Sequence, residues 1–388
     1  MANTFSNLVP DAYAALNVVS RELVGFLPAV TRDASADRVA VGQTLRVPAA
    51  PVNSAGGNIT PAMSFPTIAD QTITNNSLTL TKQRFYPFSW ANEERYALDQ
   101  GPGHLTLNQQ QIAQAIRGLV NEMELDIANA AYLGASRAFG TAGTTPFGTN
   151  LAESAQMRKI LDDNGAPFSE RSLVVNTSAG AALRTLLNNP LNANTSLNGD
   201  MTAQGIILDT NGLKFRESAQ VQTVTAGAMA SATSSNAAFT VGQTVIPLAT
   251  AGTGVVAAGD IITFANDSNK YVVASVSFAG ANPASGDSIT LQSPGLRVAQ
   301  SAATRAITVV STAARNIALS RNAILFASRL PVSPERDLAF EKETVTDPVS
   351  GMSFEIAAYP GIDMVTYHVR AVWGVKVIKP EHLAVLLG

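Results

Sequence analysis

The sequence predicts an α+β chain carrying an inserted β-module, and three observations predict it. Residues 106–135 hold one long apolar stripe at helical spacing. Residues 218–295 contain only four charged side chains, Asp260, Asp267, Lys270 and Asp287, set among short strand-forming runs. Mixed helix and strand patterns lie on both sides of that charge-poor region, so the module is set into one domain rather than added at its end.

The bulk composition narrows the class. The chain has 388 residues, 46% hydrophobic and only 14% charged, against roughly 25% charged in ordinary soluble domains. Mean hydropathy is +0.13. Such values fit a membrane protein, or a soluble one that covers much of its surface with copies of itself. No run reaches the ~18 nearly charge-free apolar residues that a spanning helix needs. The opening MANTFSNLVPDAY has no basic residue followed by an apolar core, which predicts no signal peptide and a soluble chain that stays where it is made. Without cysteine there are no disulfides, thiolate metal sites or thiol nucleophiles. A net charge of −3 argues against a strongly basic face that grips nucleic acid. Arginine outnumbers lysine 19 to 7. Guanidinium gives up water more easily than ammonium and is enriched at interfaces, so this bias favours self-association.

Along the chain, 11–27 places Leu16, Val19, Leu23, Phe26 and Leu27 at helical spacing, started by Asp11 after Pro10 and stopped by Pro28. From Val39 the period changes, and VAVGQTLRVP predicts a strand ending at Pro48. A polar segment rich in Pro, Gly and Asn follows, and SLTLTKQRFYPFSW returns as a second strand with no clearly apolar face. The pair predicts a long hairpin projecting from the body. In 106–135, Ile112, Ile116, Leu119, Met123, Ile127 and Ala130 form the stripe, a rod of about 40 Å. LAESAQMRKILDDNG then predicts a helix capped by Gly165, RSLVVN a buried strand, TSAGAALRTLLNN a helix, and GIILDTNGLKFRESAQV two short strands about an Asn-Gly turn.

The stretch FTVGQTVIPLATAGTGVVAAGDIITF, residues 239–264, has one charged side chain, Asp260. A flexible linker would not sustain its strand-forming runs. FTV, TVIPLA, GDIITF, KYVVASVSF and DSITLQ alternate with turn residues, which predicts a small antiparallel barrel or sandwich. In YVVASVSF, alternation puts Val272, Ala274, Val276 and Phe278 on one face and Tyr271, Val273, Ser275 and Ser277 on the other. Beyond the module, NIALSRNAILFASRL predicts mixed α/β structure, and the last residues predict three strands.

Catalytic signals are sparse: no phosphate loop, HExxH, GxSxG or GxGxxG occurs. His104, His368 and His382 are far apart, and surface or packing roles suit them better than catalysis. Glu122 and Asp126 share a helix face at i, i+4. They could serve acid–base work or bind a cation, but the better reading is a solvated or subunit-facing edge that meets an arginine. Glu93 and Glu94 after Trp90 could pair with arginine on a neighbour. Trp90 and Trp373 suit core or interface anchors. The candidate assembly-interface residues are therefore Arg84, Trp90, Glu93, Glu94, Arg117, Glu122 and Asp126; no catalytic, cofactor-binding or metal residue is expected, and no cofactor.

The order of these elements resembles the major capsid proteins of tailed bacteriophages, with the Hong Kong 97 (HK97-like) fold. LTLTKQRFYPFSWANEER resembles the return arm of that family's extended loop. GLKFRESAQV and NIALSRNAILFASRLPV resemble the segments entering and leaving the β-domain inserted in coat proteins of short-tailed Salmonella phages. GMSFEIAAYPG and YHVRAVWGVKVIKPEHLAVLLG resemble the closing strands. The resemblance implies an N-terminal helical arm (1–38), an extended loop (39–92), a spine helix and peripheral domain (93–149), an axial domain (150–218), an inserted β-barrel (219–312), and the rest of the axial domain with closing peripheral strands (313–388). It implies self-assembly as pentamers and hexamers into an icosahedral shell, with scaffolding, portal and possible decoration proteins, non-specific contact with packaged double-stranded DNA, and no membrane. The implied location is the virion, assembled in the host bacterial cytoplasm. Nanocompartment shell proteins of the encapsulin kind share the fold and are the alternative; an α/β enzyme with a β accessory domain is a third reading.

Overall fold

A computed structural model of the chain describes residues 24–49, 61, 74–99, 104–187, 209–250, 252–278, 283–333, 337–347 and 351–388. Residues 11–23 of the expected N-terminal helix, and all but Pro61 of 50–73 in the expected hairpin, lie outside them. The described chain starts differently from the expectation. Residues 24–26, the end of the expected helix, are not helical; Leu27–Ala29 form a single 3-10 turn with Pro28 at its start, and β1 (Thr31–Val39) follows where no strand was expected. The strand expected from Val39 to Pro48 is broken by a turn at Gly42, so β2 is Thr44–Ala49. The return arm also divides, into β3 (Thr74–Thr79) and β4 (Lys82–Ala91). Helix α1 (Asn92–Asp99) leads to the long helix α2 (His104–Gly134), whose 31 residues span about 46 Å.

After α2 comes β5 (Arg137–Phe139), which was not expected, and then α3 (Ala152–Asp163), β6 (Arg171–Val175), α4 (Thr177–Leu187) and β7 (Lys214–Glu217) in the predicted alternation. The charge-poor region gives β8 (Thr223–Val224), β9 (Thr233–Ser234), β10 (Val245–Thr250), β11 (Ile261–Phe264), β12 (Lys270–Ser277), β13 (Ser288–Leu291) and β14 (Ile307–Val309). The segment expected to be mixed α/β is strand instead: β15 (Ala313–Ser320) and β16 (Ile324–Pro331) flank one 3-10 turn. The chain closes with β17 (Glu341–Thr346), β18 (Ser353–Pro360), β19 (Met364–Val377) and β20 (Leu383–Leu387).

These strands build three sheets. β1-β16-β19-β18-β17, with β4 added on β19, form a six-stranded sheet. A twelve-stranded sheet runs β7-β6-β15-β20-β5 and continues into the module by β12-β13-β10-β9. Among the described residues, β2 and β3 pair only with each other. The long helix lies between the two large sheets. Its Ile112, Ile116, Leu119, Met123 and Ile127 are fully buried in a core shared with Phe326, Phe354, Ile356, Val369 and Trp373 of one sheet and Ile317, Leu319 and Val385 of the other. The stripe ends on Ala131; Ala130 is only half-buried. A second core under α3 and α4 gathers Met157, Leu161, Leu173, Leu183 and Leu386.

The module is a nearly closed barrel. β11 joins β12 and β14, β13 joins β12 and β10, and β10 joins β9. The circuit closes where Ser234 N–H donates to the Arg305 carbonyl (2.9 Å) and Ile307 N–H to that of Ala232 (2.9 Å). It has its own core of Phe239, Ile246, Leu248, Phe264 and Ile289. It is not a bead on a string, however, since β12 pairs with β5 of the parent at Tyr271↔Arg137. Alternate residues therefore serve two cores: Tyr271 and Val273 fill the barrel, whereas Val272 and Ile261 enter the parent core. Both faces of β12 are thus covered at 271–273. Asp260, the one charge of 239–264, is buried and accepts the backbone N–H groups of Ala257 (2.7 Å) and Gly227 (3.1 Å). Its carboxylate ties the loop ends of the module, the usual remedy for a buried charge.

At Gly374 the chain between β3 and β4 crosses β19 so closely that a Cβ would lie 2.4 Å from the Thr79 carbonyl oxygen and 3.1 Å from Leu80 Cα. Backbone cannot swing aside as a side chain can. Gly374→Ala should therefore cost about 1–3 kcal/mol by overpacking, read as a lower urea midpoint with unchanged slope.

Candidate assembly surface

The predicted interface residues fall into two groups. Alternation on β4 turns Lys82, Arg84, Tyr86, Phe88 and Trp90 toward the long helix, because their partners Trp373, Ala371, Val369, Tyr367 and Val365 face the main core. There the Arg84 Nε–H donates to Glu122 Oε1 (2.8 Å), and Lys82 Nζ to Asp126 Oδ1 (2.6 Å). Trp373 Nε1–H donates to the other oxygen of Asp126 (2.8 Å). Glu122 thus meets an arginine, whereas Asp126 meets Lys82 and Trp373, and all of these partners belong to the same subunit. Such half-exposed pairs are worth at most about 1 kcal/mol each; here they set β4 over the helix. Trp90 packs against the main core at the end of β4.

Glu93 and Glu94 occupy the first turn of α1, where acidic side chains suit the positive helix end. Glu94 also accepts the Ala91 N–H (3.2 Å). Both are exposed, as is Arg117 on the outer side of α2. His368 stacks between Phe85 and Tyr359, with ring centroids 4.8 and 4.9 Å away, and burial lowers its pKa, with Arg370 adding to the effect. His382 is buried in a 3-10 turn. No group of three or more His, Asp or Glu side chains placed to hold a metal ion occurs among the described residues, nor does any helix there that is long and apolar enough to cross a membrane.

Two features were not among the predicted residues. One is a charge network on the sheet face away from α2. Glu355 of β18 is fully buried between Arg38 of β1 and Arg370 of β19. Arg370 Nε–H donates to Glu355 Oε1 (2.5 Å), its Nη1–H to the Tyr359 hydroxyl (3.0 Å), and its Nη2 reaches Asp337 (3.3 Å). Lys342 completes it at 2.7 Å from Asp337. Lys342 first, then Arg370, holds the Asp337 carboxyl well below the usual range, against the burial that opposes them. The alternation in SFEIAAY and YHVRAV signals that Glu355 and Arg370 share the face opposite the core; only the register, Glu355↔Arg370, makes them neighbours.

The other feature is an exposed apolar end on the six-stranded sheet. Ile362, in the turn between β18 and β19, is 94% exposed, Leu338 just before β17 is 82% exposed, and Tyr96 on α1 is 70% exposed. Pairing of Glu341 with Ala358 sets Leu338 and Phe340 beside the end of β18. Met364 pairs with Ala91, and Asn92 N–H donates to the Asp363 carbonyl (3.0 Å), which brings α1 to the same end. Single exposed apolar side chains are ordinary, but a gathering of large ones at one rim marks a contact surface.

No protein-family model and no curated protein matches the sequence. Among solved structures, the chain is similar to the capsid of the cyanophage P-SCSP1u at 10% identity, over 92% of this chain and 86% of that one, with a TM-score of 0.47. It is similar to the capsid of a native GTA particle at 10% identity, over 95% and 90%, with a TM-score of 0.46. A virus-like particle from Pyrococcus furiosus is similar at 10% identity, over 98% and 99%, with a TM-score of 0.43. No residue role is transferred from them.

Proposed function

We propose that this chain is a shell-forming structural protein, the major capsid subunit of a tailed double-stranded DNA phage, with the HK97-like fold that its sequence resembles. The observation that carries the proposal is the apolar rim of Tyr96, Leu338, Phe340, Ile362 and Met364, a surface a lone soluble subunit has no use for. The β2–β3 ribbon supports it, since among the described residues it pairs with no further strand and only its base is covered by the body, and such a pair is marginal in water by itself. The order of elements, a ribbon, a long helix, an α/β part split by a barrel, and closing strands, supports the same reading. In this proposal Glu93, Glu94 and Arg117 face neighbouring subunits, while Arg84, Trp90, Glu122 and Asp126 hold β4 and the ribbon base at the angle those neighbours require. Scaffolding, portal and decoration proteins, enclosed DNA and residence in the virion belong to the proposal through the family resemblance.

Electron microscopy and size-exclusion chromatography of the purified protein test it directly. Closed shells, or ring-shaped oligomers that close into shells with a scaffolding protein, are expected. A monodisperse monomer of 40.5 kDa at micromolar concentration, indifferent to any such partner, would overturn the proposal. Particles filled with an enzyme and free of DNA would move the assignment to a nanocompartment shell.

A further inference from the structure

Glu124 stands out among the groups that neither the core nor the proposed contacts account for. It lies on α2 beside Met123, and its carboxylate is almost completely buried. One oxygen accepts the Leu27 N–H (2.6 Å); the other accepts the Phe26 N–H (3.0 Å) and the Ser218 hydroxyl (3.0 Å). Those two amides open the Leu27–Ala29 turn, where backbone donors have no partner within the turn itself. Glu124 is the acceptor that lets the turn be buried, and a leucine there would leave two amides unmet. Burial pushes its carboxyl pKa up, although the bonds from Leu27, Phe26 and Ser218 oppose the shift.

Three pieces of chain converge on this carboxylate. Residues 25–27 are the base of the N-terminal segment, α2 carries Glu124, and Ser218 is where the chain leaves β7 for the module. A close backbone approach reinforces the joint. At Gly25 a Cβ would lie 2.8 Å from the Glu217 carbonyl oxygen and 3.0 Å from Ser218 Cβ, so only glycine lets the segment sit so near. Phe26, Leu27 and Val30 then plug into the main core.

We infer that Glu124 is the positioning residue that fixes residues 25–27 on the body, and that it ties them to the long helix and to the entry of the inserted module. The inference concerns the isolated subunit and holds whether or not the chain forms shells.

Amide hydrogen exchange of the full chain tests it. Glu124→Gln keeps the size and one acceptor oxygen but turns an NH2 group toward donors. Exchange at Phe26 and Leu27 should rise at least ~10-fold, while amides of the α2 centre and β20 stay within about twofold. Unchanged exchange at Phe26 and Leu27, or a uniform loss of protection across the chain, would overturn the inference. Should Glu124→Gln fail to fold, Gly25→Ala decides, because it lifts the same segment and leaves the carboxylate in place. The same local signature is expected from it, and its absence counts against the inference.

Discussion

Replacing residues 50–73 with an Asn-Gly turn should leave a folded subunit that forms no closed shells. The register permits the graft: Ala49 and Thr74 are the last pair of the β2–β3 ribbon, and two residues in a type I′ turn close such an antiparallel pair. The body should not notice. Leu78 and Leu80 pack on Leu325, Ala327 and Val372 at the ribbon base, and none of these is touched. Thermal unfolding should therefore match the parent within about 1 kcal/mol. Assembly should not survive, because a shell multiplies each lost contact over every subunit, and about 1.4 kcal/mol per contact is already tenfold in association. Micrographs showing normal particles from this variant would refute the role given to the ribbon.

Arg370→Met should be the most destabilising single substitution on the sheet. Glu355 is fully buried, and the Arg370 Nε–H donates to it at 2.5 Å; removing one partner of a buried charge typically costs about 3–5 kcal/mol. Glu355→Gln with Arg370→Met should recover part of the loss, since an uncharged pair no longer demands a counter-ion. If the double variant is no more stable than Arg370→Met alone, the charges are not coupled. The pH dependence follows from Asp337. Its folded pKa lies below the unfolded value, so its contribution is present above the unfolded pKa of about 4 and declines as pH falls toward the folded one. Asp337→Asn should flatten that part of the acid limb of a stability–pH curve and leave the neutral-pH slope unchanged.

Much of this architecture was legible because it rests on local periodicity. A stripe repeating every three or four residues needs a helix, and α2 spans 104–134 where 106–135 was expected. Short turn-bounded runs with few charges need a β-module, and the barrel has strands at 245–250, 261–264, 270–277 and 288–291. The misreadings occur where local pattern is indifferent to partner. SLTLTKQRFYPFSW alternates throughout, yet it divides at Leu80 and Thr81, because one half pairs with β2 and the other with β19.

Glu124 shows the limit from the other side. On the sequence it is one more charge beside an apolar stripe, and its donors lie 98, 97 and 94 residues away. Glu122 and Asp126, two residues to either side, looked more like a site because their spacing was visible. By itself the sequence determined α2, α3 and α4, most of the strands, the presence of an inserted module and the absence of cysteine chemistry, since each depends on residues close together or on composition alone; α1 was not among its signals. Only the tertiary structure decided that the module shares a sheet with its parent, that Glu355 is enclosed by two arginines, and that the buried Glu124 accepts the amides of Phe26 and Leu27. Each depends on the register of strands or on segments that meet only when the chain has folded, and short-range pattern holds no record of either.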